Sequence, residues 1–265
     1  MKVLAPAKIN LFLKIINKRK DGYHNIKTGI TFINLYDEIS IKKSKNSKNS
    51  VLYTGPFAPV NNRFKNDLVK KLLSFLFKDQ KKRYYFDIVI KKNIPYGSGL
   101  GGSSVNAAGV FRGLKKLKTA FKEVNQKKFS LIGADIPICI NSRDCIAEGI
   151  GEKIDFNINY EKNYFLLVKP NFSLSTRDVY AKFKFKDARK NNRNDLQQTA
   201  VKIKPLLKDL LSDLSSLENR IFASMSGSGS CCYAAFKNFK DAKKSLKTIK
   251  SIYPDYWISL VNNKI

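Results

Sequence analysis

The chain of 265 residues has a single histidine, His24. That excludes a multi-histidine metal centre. A Ser-His-Asp triad would have to use His24, and no G-x-S-x-G elbow is present. Cysteine is scarce too: Cys139, Cys145, Cys231 and Cys232. None forms a C-x-x-C pair and two are adjacent, which argues against a disulfide framework or zinc site and for a reducing cytoplasm. No apolar run approaches the roughly 20 residues of a bilayer span, so no membrane partner is expected. Residues 1–10 begin like a signal peptide, but Lys8, Asn10 and Lys14 interrupt any uncharged segment.

Acidic residues are also few, 21 Asp and Glu against 50 Lys and Arg, for a formal charge of +29. Such a field attracts anions in general: nucleic acid, acidic lipid or phosphorylated metabolites. The lysines are spread along the whole chain among Asn, Ile, Phe and Tyr, a pattern that A+T-rich coding produces. This favours solvated faces over a dedicated nucleic-acid patch, because charge alone identifies no partner. What is abundant is core material: 43% hydrophobic residues, with 18 Phe and 12 Tyr. The length suits one large domain or two ordinary ones, and wholesale disorder is disfavoured.

Residues 8–15 alternate as a strand does, and residues 26–35 read as another. Between them Asp21-Gly22-Tyr23-His24 signals a turn. Residues 42–50 read as a polar surface loop. Asp67 is placed to cap a helix through Leu68, Val69, Leu72, Leu73 and Leu76, which recur at helical spacing. Residues 84–90 are strand-like and lead through Pro95 into Gly97-Ser98-Gly99-Leu100-Gly101-Gly102-Ser103-Ser104. Ser103 or Ser104 is then expected to cap a helix beginning near Val105. Further breaks follow at Gly133-Ala134-Asp135-Ile136-Pro137 and Gly149-Ile150-Gly151-Glu152. A strand is expected over residues 164–168, a helix from Asn194-Asp195-Leu196, and an apolar strand through Phe236 after the turn Met225-Ser226-Gly227-Ser228-Gly229-Ser230. No internal repeat is evident. The mixture of strands and helices gives an α/β or α+β class.

Gly97, Gly99 and Gly102 spell G-x-G-x-x-G. The loop is either a concavity of backbone N–H groups for phosphate, backed by a helix N-terminus, or only a flexible connection. Four glycines and three serines in eight residues exceed what a turn requires, which favours phosphate. A Rossmann site would need an acidic residue at the end of a second strand about 20 residues on. The candidate, Glu123, lies in the lysine-rich stretch 115–128, which has no strand pattern. Walker A fails for want of Gly-Lys-Ser or Gly-Lys-Thr, and the protein-kinase set fails for want of H-R-D and D-F-G. Asp135, before Pro137, reads equally as a helix N-cap or as a carboxylate facing a cleft. Lys8 in an apolar strand is either solvent-facing or functional, and Asn10 shares its face. Ser224 to Ser230 read evenly as phosphate-facing N–H groups or as a tight turn.

Taken together these motifs resemble the GHMP kinases. Pro95-Tyr96-Gly97-Ser98-Gly99-Leu100-Gly101-Gly102-Ser103-Ser104 resembles their phosphate loop. The set Ala5-Pro6-Ala7-Lys8-Ile9-Asn10-Leu11, Asp21 to His24 and Gly133 to Pro137 is similar to a branch that phosphorylates a cytidine diphosphate-linked sugar alcohol. The matching motifs cover nearly the whole chain. The resemblance implies a two-domain fold: residues 1–155 similar to domain two of ribosomal protein S5, and residues 156–265 ferredoxin-like. It implies ATP and Mg²⁺ as cofactors and transfer of the γ-phosphoryl to the 2-hydroxyl of a diphosphocytidyl methylerythritol in the non-mevalonate isoprenoid pathway. It makes Asp135 the base and Lys8 its partner. It assigns Pro95 to Val105 to ATP, with Ser103 or Ser104 near Mg²⁺. It assigns Asn10, Tyr23, His24, Thr176 and Tyr180 to the substrate, with Tyr23 stacking on cytosine, His24 at its edge, and Tyr180 or Thr176 from the C-terminal half.

The chain departs from the family pattern in two places. Aligned on Asn106-Ala107-Ala108, Ser103 stands where the third glycine would be, Ser104 matches the first serine and Val105 replaces the second. Asn66-Asp67-Leu68 puts Asp before Leu at the family's adenine position. Rival readings are another GHMP kinase, of homoserine or mevalonate type, which leaves Asp21 to His24 unexplained, and a basic RNA-binding protein, which leaves Lys8 and Asp135 without a task. The expected assembly is a monomer or homodimer.

Overall fold

The computed structural model describes residues 1–62, 64, 66–78, 84–117, 126–188 and 193–265. Glu123 lies outside the described residues. In chain order the elements are β1 (Lys2–Lys18), β2 (His24–Lys43), β3 (Ser50–Thr54), α1 (Leu68–Phe77), β4 (Phe86–Lys91), α2 (Gly102–Lys116), α3 (Ile136–Asn141), β5 (Cys145–Gly149) and β6 (Lys153–Asp155). Then follow β7 (Tyr164–Lys169), α4 (Thr176–Lys182), α5 (Gln197–Ile203), α6 (Leu206–Ser216), β8 (Arg220–Met225), β9 (Cys232–Phe236), α7 (Phe239–Ile252) and β10 (Trp257–Asn262). Among the described residues no helix is long and apolar enough to cross a membrane.

The chain forms two compact units, and it passes between them several times. One comprises Met1–Ala7, Leu35–Pro95 and Gly101–Arg143; the other comprises Lys8–Asn34, Tyr96–Leu100 and Asp144–Ile265. β1 and β2 each contribute to both. The two strands are longer than their alternation suggests. Residues 5–11 and 28–33 are buried on both faces, so the period-two signal is lost where the strand is most enclosed.

In the first unit, Glu38 to Lys43 of β2 pair antiparallel with Lys91 to Phe86 of β4, and β3 adds in parallel on the far side of β4. α1 starts where the sequence places it. The Asp67 carboxylate accepts from Lys70 N at 3.0 Å, and Leu68, Val69, Leu72, Leu73 and Leu76 are all buried. α2 packs closely on this sheet because two of its glycines leave room. A Cβ on Gly109 would meet Ile39 Cδ1 at 2.5 Å, and one on Gly113 would meet Ile41 Cδ1 at 2.5 Å.

The second unit contains the antiparallel pairing of β2 (Ile26 to Ile30) with β5, and of β5 with β6. It also contains a four-stranded antiparallel sheet in the order β10-β7-β9-β8. Leu166, Val168, Cys232, Ala234 and Phe236 from that sheet form one core with Leu207, Leu210 and Leu214 of α6 and Ala242 and Ile249 of α7. All four cysteines are buried free thiols. Burial pushes the Cys231 thiol up to about 12 and Cys232 well above its ordinary value, so both act as small hydrophobes.

One buried ion pair stands out in the first unit. Asp37 is fully buried and accepts from Lys92 Nζ, while Asn93 N and Ile94 N donate to its other oxygen at 2.7 and 2.9 Å. Burial lowers the Lys92 pKa, and Asp37 pulls it back up. The carboxylate thus pins the three residues that precede Pro95. Asp37→Ala leaves the Lys92 ammonium buried without its counter-ion and is expected to cost about 3–5 kcal/mol, read as a lowered urea midpoint. An unchanged midpoint would show that water reaches Lys92 freely.

Candidate active site

The glycine loop alternates in handedness. Gly97, Gly99 and Gly101 have φ of 62°, 75° and 76°, while Ser98 and Leu100 between them stay at negative φ. Alternation of this kind turns successive N–H groups toward one side and makes an anion-binding concavity. Only glycine fits at 99 for a second reason. A Cβ there would collide with the carbonyl oxygen of Ser226 and lie 3.1 Å from that of Gly229.

The turn after β8 is what presses on the loop. Cys231 N donates to Ser98 O at 3.1 Å and Ser230 N to Gly97 O at 3.3 Å. Ser226 N and Gly229 N donate to Cys231 O and Ser226 O. Those N–H groups are therefore engaged by carbonyls, which favours the turn as a brace for the loop over the turn as a phosphate cradle. Asn194 holds the turn from behind, donating from Nδ2 to Met225 O at 2.8 Å and to Gly227 O at 2.7 Å.

Lys8 and Asn10 lie on one face of β1, as their spacing requires. Both are buried. Lys8 Nζ donates to Asn10 Oδ1 at 2.6 Å, and Asn10 Nδ2 donates to Thr28 Oγ1 at 2.8 Å. Asn10 N donates to Ser226 Oγ at 3.3 Å, and that hydroxyl donates to Gly99 O at 3.0 Å. Lys8 N donates to Leu100 O at 3.1 Å. A Cβ on Gly227 would stand 3.2 Å from Asn10 Oδ1 and 3.6 Å from Lys8 Nζ. Lysine, amide, glycine loop and bracing turn are thus joined in one network. Thr28 carried no signal beyond being a polar residue in apolar surroundings, and Ser226 was read only as part of the Ser224 to Ser230 turn.

The start of α2 corrects one expectation. Neither Ser103 nor Ser104 caps a helix near Val105. The helix begins at Gly102, Gly101 is its N-cap in the left-handed region, and Val105 N donates to Gly101 O at 2.9 Å. Left-handed glycine closes the turn earlier than a serine cap would. No side chain caps the helix, so N–H groups of its first turn remain for an anion. Lys92 adds charge here: a Cβ on Gly102 would lie 3.4 Å from Lys92 Nζ. Sequence reading missed Lys92, because one lysine among so many carries no mark of burial. A small cleft nearby is lined by Tyr53, Asn66, Asp67, Ser103 and Asn106. Within it Asn106 Oδ1 is buried without a hydrogen-bond partner.

Asp135 occupies the N-cap position of α3 and is half-buried, yet its side chain makes no capping hydrogen bond. The N-cap reading is therefore met in position and not in chemistry. Among the described residues no group of three or more His, Cys, Asp or Glu could hold a metal.

The aromatic residues form a separate cluster in the second unit. The His24 ring lies 5.7 Å from Tyr180, tilted by 36°, and 5.8 Å from Phe183 in an edge contact. Burial and the nearby Lys18 charge hold the His24 pKa below its ordinary value, so the ring is neutral at pH 7, one nitrogen donating and one accepting. Tyr23 is 64% exposed and, among the described residues, makes no ring contact with this cluster. Its turn is tied by Arg19 N to Tyr23 O at 2.8 Å and Tyr23 N to Asp21 Oδ1 at 3.1 Å. Thr176 joins the bracing turn instead, 2.8 Å from Ser228 Oγ. Phe183 was not anticipated, although its spacing from Tyr180 on α4 would have indicated it.

Family models described as GHMP kinases N terminal domain and GHMP kinases C terminal match residues 67–143 and 184–255. The chain is 32% identical to the 4-diphosphocytidyl-2-C-methyl-D-erythritol kinase of Wolbachia sp. subsp. Drosophila simulans, over 97% of this chain and 96% of that one. It is 33% identical to the protein of the same name from Clostridium perfringens, over 96% and 94%. A crystal structure of 4-(cytidine 5'-diphospho)-2C-methyl-D-erythritol kinase superimposes with a TM-score of 0.79 at 25% identity, covering 98% of this chain and 99% of that one. A mevalonate kinase structure shares the fold at TM-score 0.63 and 17% identity, with 98% of each chain covered.

Gly99→Ala places a methyl group against the Ser226 carbonyl at a strained φ. The variant is expected to lose nucleotide affinity by at least about tenfold while keeping its fold, since one to three kcal/mol of strain falls on the loop alone. Titration with ATP beside a thermal melt separates the two effects.

Proposed function

The chain belongs to the GHMP kinases, in the branch of its 4-diphosphocytidyl-2-C-methyl-D-erythritol kinase relatives, and from this premise we propose how it transfers the γ-phosphoryl of ATP to the 2-hydroxyl of that diphosphocytidyl sugar alcohol. The observation that carries the reading is the network from Lys8 through Asn10 and Ser226 to Gly99. It ties a buried ammonium to the loop with the alternating glycines, an arrangement suited to phosphoryl transfer and to no other class considered for this sequence.

Residues 95–105 hold the ATP phosphates, the loop through N–H groups and Ser103 and Ser104 within the uncapped first turn of α2. Asn106 Oδ1, with its unfilled acceptor capacity, suits a donor on the nucleotide. Asp135 accepts the proton of the 2-hydroxyl as its oxygen attacks the γ-phosphorus, and the bond to the bridging oxygen of ADP breaks. Lys8 meets charge on the transferring phosphoryl, and Asn10 fixes the ammonium by accepting from it. Mg²⁺ carried on the nucleotide would neutralise the phosphate oxygens. His24 reads the cytosine edge, Tyr23 with Tyr180 supplies stacking surface, and Thr176, at the start of α4, contacts the substrate from beside the bracing turn. The proposed domains are 1–155 and 156–265, one for each family model, whereas the compact units cut across that boundary, Lys8–Asn34 and Tyr96–Leu100 grouping with Asp144–Ile265. The reaction runs in the cytoplasm.

The test is a coupled assay for ADP with ATP, Mg²⁺ and a panel of alcohols: the cytidylyl substrate, mevalonate and homoserine. Turnover with the first alone is the expected result, and turnover with either of the others in its place would overturn the assignment. Asp135→Asn is expected to lower kcat by about 10²–10⁴; near-wild-type turnover would remove Asp135 from the base role. Tyr180→Ala is expected to raise KM for the cytidylyl substrate by the equivalent of about 1–3 kcal/mol and to leave KM for ATP unchanged. Equal rises in both would count against base stacking.

A further inference from the structure

We infer that Arg112 is a positioning residue for Asp135, acting through α3. The guanidinium reaches from the C-terminal half of α2 to the far end of that helix. Its Nη1 donates to Cys139 O at 2.6 Å, to Ser142 Oγ at 2.9 Å and to Ile140 O at 3.3 Å, and its Nη2 donates to Leu4 O in β1 at 3.0 Å. Ser142 Oγ donates in turn to Cys139 O at 2.7 Å. One side chain therefore binds three segments of the first unit, and two of its acceptors are carbonyls in the last turn of α3.

α3 has need of such a clamp. It has six residues, about 9 Å of helix, and is too short to be stable by its own hydrogen bonds. Its internal ties include Cys139 N to Asp135 O at 3.1 Å and a long Ser142 N to Ile138 O at 3.4 Å. Ile136, Pro137, Ile138, Cys139 and Ile140 are buried, which fixes the helix laterally. Apolar packing resists a slide along the axis or a small rotation only weakly, whereas directed charge-assisted hydrogen bonds to terminal carbonyls resist both. Asp135 sits at the opposite end, so any such movement is delivered to its carboxylate. At a phosphoryl-transfer site, misplacement by about 1 Å can cost about 10²-fold in rate.

Arg112 has no direct role to play in the chemistry. Its donors are directed at backbone carbonyls and one hydroxyl, and burial lowers its pKa from the ordinary value. The inference rests on Asp135 being the base, and the experiment separates the two claims. Arg112→Met and Arg112→Lys are measured alone and in the Asp135→Asn background, with kcat, both KM values and a thermal melt for each.

The expected result is a fall in kcat of about tenfold for Arg112→Met and a smaller fall for Arg112→Lys, with both KM values within about twofold of wild type. In the Asp135→Asn background the same substitutions should change kcat by less than about twofold, because the group they position is gone. An equal fold-loss in both backgrounds, or wild-type kcat in a folded Arg112 variant, would overturn the positioning role. Should Arg112→Met fail to fold, Arg112→Lys, which keeps the charge and fewer directed donors, decides by the same comparison. Asp135→Asn with near-wild-type kcat would instead overturn the base assignment on which this inference stands.

Discussion

The second unit is organised around the hydrogen bonds of Asn10. Its carboxamide accepts from the Lys8 ammonium and donates to Thr28, its N–H donates to Ser226, and its carbonyl accepts from the Tyr233 hydroxyl at 2.8 Å. Every polar group of the residue is used while it is only 4% exposed. A buried ammonium is costly unless its donors are matched, and the Asn10 amide oxygen is one of the acceptors of Lys8.

The glycine loop follows from the same constraint. Its backbone must run against the Ser226 to Ser230 turn, and the carbonyls of Ser226 and Gly229 leave no room for a Cβ at position 99. Close approach removes side chains from the loop, and alternating φ turns its N–H groups outward. The uncapped start of α2 continues the pattern. A serine at the N-cap would have consumed donors that an anion can use. Lys92 is paired with Asp37, which spreads its charge into a structural anchor for residues 92–94.

Several features were legible in the chain because they are local. Asp67 and the Leu68 to Leu76 spacing announce α1 and its cap. Lys8 and Asn10 share a face by strand alternation, and the glycines announce a loop of alternating handedness before α2. Other features were not legible, for identifiable reasons. β1 and β2 run past the predicted residues 8–15 and 26–35; in β2 the added part alternates in burial and pairs with β4 over Glu38 to Lys43. The start of α2 was misplaced because serine is the commoner cap, and only the conformation of Gly101 decides otherwise. Asp37, Lys92 and Arg112 were overlooked because one charged residue among 71 is conspicuous only once it is buried.

From its own residues the sequence determined a glycine-rich loop whose conformation is local, and the class of chemistry followed from the resemblance of P-A-K-I-N-L, D-G-Y-H and G-A-D-I-P to the GHMP kinases. The tertiary structure alone decided which polar groups are engaged and which remain available. It set Ser226 against Gly99, left Asn106 Oδ1 unfilled, joined His24 to Tyr180 and Phe183, and clamped α3 with Arg112. These contacts join residues far apart in the chain, and whether a buried donor finds its acceptor depends on packing that no short stretch of sequence encodes.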